Sequence, residues 1–144
     1  MAGVDDVLIA VQRTVDEIPS IVASHKDIPG AAPTDADLPA AISRLDRDRQ
    51  GSITLGMEQW RTYPIRVDVL VKRKVSDQID QAALYGFVEL VADIFSANIS
   101  VQGVGAVQPV IEWRIGLLAI WEVTYWAASL FLAVEEHVER IPTE

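Results

Sequence analysis

The chain has no cysteine. That excludes a disulfide scaffold, cysteine-based zinc sites and a thiol nucleophile. Histidine is almost as scarce, with His25 and His137 the only two among 144 residues. A strand through VEEHVER would put Glu135, His137 and Glu139 on one face. The helical zinc pattern, however, needs a second histidine one turn away, and a solvated, charged strand end is the simpler reading. A long hydrophobic run is missing too. The greasy stretch near the C-terminus is interrupted by Glu122, and its uncharged part, Val123 to Val134, is about half the length of a membrane-crossing helix. The first residues, MAGVDDVLIA, carry Asp5 and Asp6 where a secretory leader is basic, so no leader is expected. Positive charge is in short supply, with 12 lysines and arginines against 21 acids and a net charge of −9. A phosphate backbone would repel such a chain as a whole, so general nucleic-acid binding is not expected.

Catalytic patterns are also absent. Gly103-x-Gly105 has no third glycine and does not lead from a strand into a helix, so it is a flexible turn and not a dinucleotide fingerprint. Ser20, Ser24, Ser43, Ser52 and Ser100 have no nucleophile-elbow context. No base is placed against a nucleophile. The expectation is a protein without catalytic residues, metal or cofactor.

What remains is apolar patterning. Half of the residues are hydrophobic, enough for one domain with a real core over 1–144. Val4, Val7, Leu8, Val11, Val15 and Ile18 recur at helical spacing, and Pro19 ends the pattern, which predicts an amphipathic helix over about 5–18. Residues 26–39 hold three prolines and a glycine and read as an extended connector. AAISRL follows as a short strand. Pro64 to Arg73 is the clearest strand, with Ile65, Val67, Val69 and Val71 alternating against Arg66, Asp68 and Lys72. Its second face is expected to meet water or a partner. A long hairpin at 45–57 joins the two. A helix follows, capped by Ser76 or Asp77, with Ile79, Ala83, Phe87, Leu90 and Ile94 as its apolar stripe and Asn98 at its end.

The last third fits two descriptions. WAASLFLAVEEHVERI has good helix propensity. Yet Val107, Pro109, Ile111, Trp113, Ile115 and Leu117 alternate with polar residues, and a helix apolar nearly all round would have nowhere to hide in so small a domain. Two strands are therefore favoured, the second apolar on both faces. The fold class is α+β, in the order α-β-β-α-β-β, with helices laid on a small antiparallel or mixed sheet.

RLDRDRQGSITLGMEQW, Arg44 to Trp60, resembles the front of a calcium loop. Asp46 and Asp48 fill the first two ligand positions, Gln50 can serve as the third, and Gly51 stands at the turn. The twelfth position needs a bidentate glutamate, but Met57 stands there and Glu58 comes one residue late. Arg47 and Arg49 add positive charge. The segment reads better as a mixed-charge hairpin tip, whose Asp46, Arg47, Asp48 and Arg49 can pair with a neighbouring subunit. Trp60, Trp121 and Trp126, with Tyr125, complete a set of candidate interface residues. Tyr125 and Trp126 point to opposite faces of the last strand, so one of them can lie where a monomer does not cover it.

The whole arrangement resembles the tail terminator and tail-completion proteins of long-tailed bacteriophages. The likeness is carried by the N-terminal helix, DLPAAISRL, the hairpin into YPIRVDVLVKR, the helix SDQIDQAALYGFVELVADIFSAN and the closing IWEVTYWAASLFLAVEE. It departs at Ala127-Ala128, where a glycine is expected. The resemblance implies a structural subunit of a ring, usually six-fold, that caps the tail tube and joins it to the head connector. The implied partners are other copies of the chain, the tail tube protein and a head-completion or connector protein, with no membrane. DNA would pass through the lumen without specific binding, which the acidic balance suits. The implied location is the virion neck or tail, after assembly in the host cytoplasm. Head-completion or tube proteins are neighbouring alternatives. A small α+β enzyme or ligand-binding domain, its pocket lined by tryptophans, is an alternative of another class, and a calcium-dependent module is a third.

Overall fold

A computed structural model describes residues 3–30, 37–71, 77–120 and 122–139, the side chains of 77–81 and 139 excepted. It contains helices α1 (Val4–Asp16) and α2 (Asp77–Ala97), and strands β1 (Ala23–Lys26), β2 (Ala40–Leu45), β3 (Ser52–Ile53), β4 (Glu58–Val71), β5 (Ala106–Val107), β6 (Glu112–Ile120) and β7 (Val123–Glu139). The fold is mixed α+β, with one seven-stranded sheet and two helices.

β4 and β7 are its spine. They pair antiparallel from Glu58↔Glu139 to Val71↔Trp126. β2 and then β3 line the far side of β4, while β6 and then β5 line the far side of β7. Pro64 falls where the chain loops away from β4 between Leu45↔Ile65 and Ser52↔Thr62. A residue without an N–H fits a strand at such a gap.

Helix α1 starts as the spacing predicts. Asp6 accepts the Gly3 N–H at 3.2 Å, and Val7, Leu8, Val11 and Val15 are buried. Gln12 Nε2 donates to Ser24 O (2.9 Å), and Ser24 Oγ donates to Gln12 O (3.0 Å). This reciprocal pair fastens α1 to β1, a strand that the connector reading misses. β1 runs parallel to β2. Such a pairing needs a connection of a dozen or more residues, and the proline-rich stretch from Asp27 to Pro39 provides it.

Helix α2 buries Leu84, Val88, Val91 and Phe95. This stripe is one residue away from the expected Ala83, Phe87, Leu90 and Ile94; Leu90 is exposed, and Phe87 and Ile94 are only partly buried. Two adjacent apolar stripes make the helix ambiguous by periodicity, and the sheet beneath it selects one. The expected cap Ser76 and the side chain of Ile79 lie outside the described residues.

The last third is strand. Ile120 and Val123 pair across a tight connection in which Glu122 takes a φ of 64°. A non-glycine residue in that region leaves no turn signal in the sequence. Both helices lie on one sheet face, over Ile65, Val67, Val69, Ala128, Leu130 and Leu132. The other face has its own cluster of Ile42, Leu70, Ile120, Tyr125 and Ala127, with Leu38 and Leu118 packed against it and no helix residue in it among the described residues.

Candidate assembly surfaces

The second sheet face carries the polar chemistry. β4 presents Arg66 and Asp68 there, opposite Phe131 and Ser129 of β7. This face was expected to meet water or a partner, but Asp68 is fully buried and Arg66 nearly so. Asp68 Oδ1 accepts from Arg66 Nε at 2.9 Å and from Ser129 Oγ at 2.5 Å. Arg44 Nη2 approaches Asp68 Oδ2 at 3.2 Å. One carboxylate thus ties β2, β4 and β7 together. The guanidinium carbons of Arg66, Arg114 and Arg49 stand 5.4, 5.5 and 5.8 Å from the centre of the Phe131 ring. The aromatic quadrupole attracts each of them.

The turn after β2 closes over this face. Asp46 is buried; its Oδ1 accepts the Asp48 N–H at 3.1 Å, and its Oδ2 lies 3.5 Å from Arg49 Nε. Arg49 Nη2 donates to Leu132 O at 2.7 Å. Asp46 and Arg49 are therefore spent within the chain, because an Asx turn needs the one and the strap to β7 needs the other. Arg47 and Asp48 stay exposed. Among the described residues, no group of three or more histidines and acids is placed to hold a metal.

Gly51 sets how closely this turn lies on β4. A Cβ there would stand 2.8 Å from Thr62 O and 3.3 Å from Pro64 Cδ. Gly51→Ala should therefore lift the turn and cost about 1–3 kcal/mol of stability, read from the shift of a denaturant midpoint. An unchanged midpoint would show that the turn is not held against β4.

Beyond the turn, β3 and the start of β4 form a projecting arm. Gly56, with φ 133°, makes its tip. Thr54 N–H donates to Trp60 O (3.0 Å), and Trp60 N–H donates to Thr54 Oγ1 (2.8 Å). The tip is apolar and uncovered: Ile53 is 61% exposed, Leu55 89%, Met57 62% and Trp60 44%. Trp60 stacks at 4.5 Å on His137 across the β4–β7 ribbon. On the ribbon's other face Glu136 is buried and accepts from the Tyr63 hydroxyl at 3.1 Å. Burial first, and then Glu136, push the Tyr63 phenol above its ordinary value.

The opposite edge of the sheet is β6. It exposes Trp113, which meets Tyr85 of α2 edge-on at 5.6 Å, and Leu117. Of the other expected interface aromatics, Tyr125 and Trp126 are both buried, one in each core. The chain covers both because its second face has a core of its own, which the alternation in β7 does not reveal. Trp121 lies outside the described residues. Leu55, Met57, Trp113 and Leu117 escaped the sequence reading, since an exposed apolar residue looks like a core one. A cavity of about 690 Å³ lies between the first turn of α1, Asp27–Ile28 and the Asp46–Asp48 turn, with Arg44 and Arg66 in its wall and no tryptophan. Among the described residues no helix is long and apolar enough to cross a membrane. Compared with known proteins, the chain matches no family model and no curated sequence.

Proposed function

We propose that this chain is a structural ring subunit of the tail terminator type, capping a phage tail tube and joining it to the head connector. The observation that carries this reading is the placement of two uncovered apolar surfaces. The arm tip (Ile53, Leu55, Met57, Trp60) lies on the β3 side of the sheet, and Trp113 and Leu117 lie on the β6 side. Different surfaces on opposite edges suit a heterologous, head-to-tail contact, the kind that makes a ring when its rotation closes and a filament when it does not. Exposed large aromatics and methionine are typical of protein interfaces. The hairpin region is then the part that reaches a neighbour or the tube. Six-fold closure, the tube and connector as partners, and a place in the virion neck follow from the resemblance in sequence organisation. Function on this reading is assembly and not catalysis. The acidic balance of −9 suits a lumen that lets DNA slide past.

Negative-stain electron microscopy of the concentrated protein, alone and with isolated tail tubes, tests the proposal. Rings, or caps at one tube end, are expected. Featureless small particles and bare tube ends would refute it. The cavity beside Arg44 and Arg66 favours a second reading as a ligand-binding domain, which a thermal-shift screen would reveal as specific stabilisation.

A further inference from the structure

We infer that the acidic tip of the β4–β7 ribbon of one copy seats on the arginine cradle around Phe131 of the next, so that the contact between copies is electrostatically directed. The inference rests on the head-to-tail ring proposed above and names the residues that join it. The cradle collects four of the chain's 12 basic side chains, Arg44, Arg49, Arg66 and Arg114, on one sheet face. Asp68 answers Arg44 and Arg66, and Asp46 answers Arg49. Glu112 stands across from Phe131 in register. These three carboxylates leave one positive charge over in a protein whose total is −9. By these pairings the surplus lies with Arg44 and Arg66, which share Asp68, while Arg114, exposed on β6, is the one of the four that makes no ion pair among the described residues.

The complementary charge is on the same sheet face at the other end of β4. Glu58 is exposed there, and Glu135 of β7 stands on the same face across from Thr62. Glu58 and Arg66 are eight residues apart on one strand, a span of about 26 Å. One copy therefore cannot bring its own tip to its own cradle, whereas a neighbour can. Trp60, half-exposed beside Glu58, supplies the aromatic anchor that such a contact needs at its centre. Arg114 lies on the same edge strand as Trp113 and Leu117, but those two face the helix side of the sheet, so the charged contact is on the face opposite theirs.

Charge reversal tests the pairing. Arg114→Glu and Glu58→Arg change exposed side chains, and near-UV circular dichroism should show both variants folded like the parent chain. Each alone should weaken self-association about tenfold in sedimentation velocity at low salt. Mixing the two variants should restore assembly, because each contact then again joins opposite charges. The inference fails if the single variants assemble like the parent chain, or if mixing gives no rescue; rings would still form in the first case, leaving the ring reading intact. A parent chain that stays monomeric at every concentration would remove the ring reading and this contact together. Closed two-fold dimers with the same charge pattern would uphold the contact and remove the ring.

Discussion

Replacing Asp68 with alanine should lower the free energy of unfolding by about 3–5 kcal/mol, the range for breaking a buried ion pair from one side. The carboxylate is fully buried and meets two guanidiniums and the Ser129 hydroxyl. Without it, Arg66 keeps, among the described residues, Ser129 Oγ, 3.3 Å from its Nη2, and the Phe131 face beside it. Arg44 is less affected because about a quarter of its side chain is open to solvent. The loss should appear as a lower midpoint in denaturant, with little change in slope if the native state keeps its compactness. The double variant Arg66→Met with Asp68→Leu should regain most of it, since apolar groups of similar volume can replace a buried ion pair at little cost. If Asp68→Ala alone proved neutral, the three-strand tie would carry no weight. The arginines would then be held by the Phe131 ring and the turn alone.

How much of this was legible in the sequence depends on what each pattern reports. α1 declared itself, because a helix with one covered face shows a single stripe from Val7 to Ile18 and a proline at its end. The alternation around Ile65, Val67 and Val69 declared β4 for a similar reason: its helix-facing side is purely apolar. The other side of β4 was misjudged. Arg66 and Asp68 look solvent-facing in one dimension, and only the strand partners Arg44 and Ser129, distant in sequence, make their burial affordable. The α2 stripe was misplaced by one residue because Ala83–Leu84, Phe87–Val88 and Ile94–Phe95 are apolar on either choice. β1 was missed because four residues, Ala-Ser-His-Lys, show no alternation, and their strand character comes from β2 alongside. At the candidate surfaces, the sequence pointed to the hairpin region, but it could not separate Asp46 and Arg49, which turn inward, from Leu55 and Met57, which do not. That distinction is set by the Asx turn and the strap to Leu132, both tertiary facts.

The second large effect is expected at the arm tip. Leu55→Asp combined with Met57→Asp should weaken assembly by about 100-fold or more, the scale of losing a central apolar hot spot and burying charge in its place. The same change should leave the isolated subunit within about 0.5 kcal/mol of its parent, because neither side chain is part of a core. The tip is suited to an anchoring role because it is fixed before any partner arrives. The Thr54–Trp60 bonds close the turn, Gly56 takes the conformation that the turn needs, and His137 supports the Trp60 ring. A preorganised tip loses little conformational freedom on docking, so its apolar area contributes more to affinity than the same residues on a loose loop would. The contrast with Asp68→Ala separates two roles: that variant weakens the subunit, whereas the arm variant spares the subunit and removes the contact. Sedimentation velocity and denaturant unfolding on the same samples distinguish them. An arm variant that assembled like the parent chain would shift the contact to β6 alone and would leave the arm to meet the tube rather than the neighbouring copy.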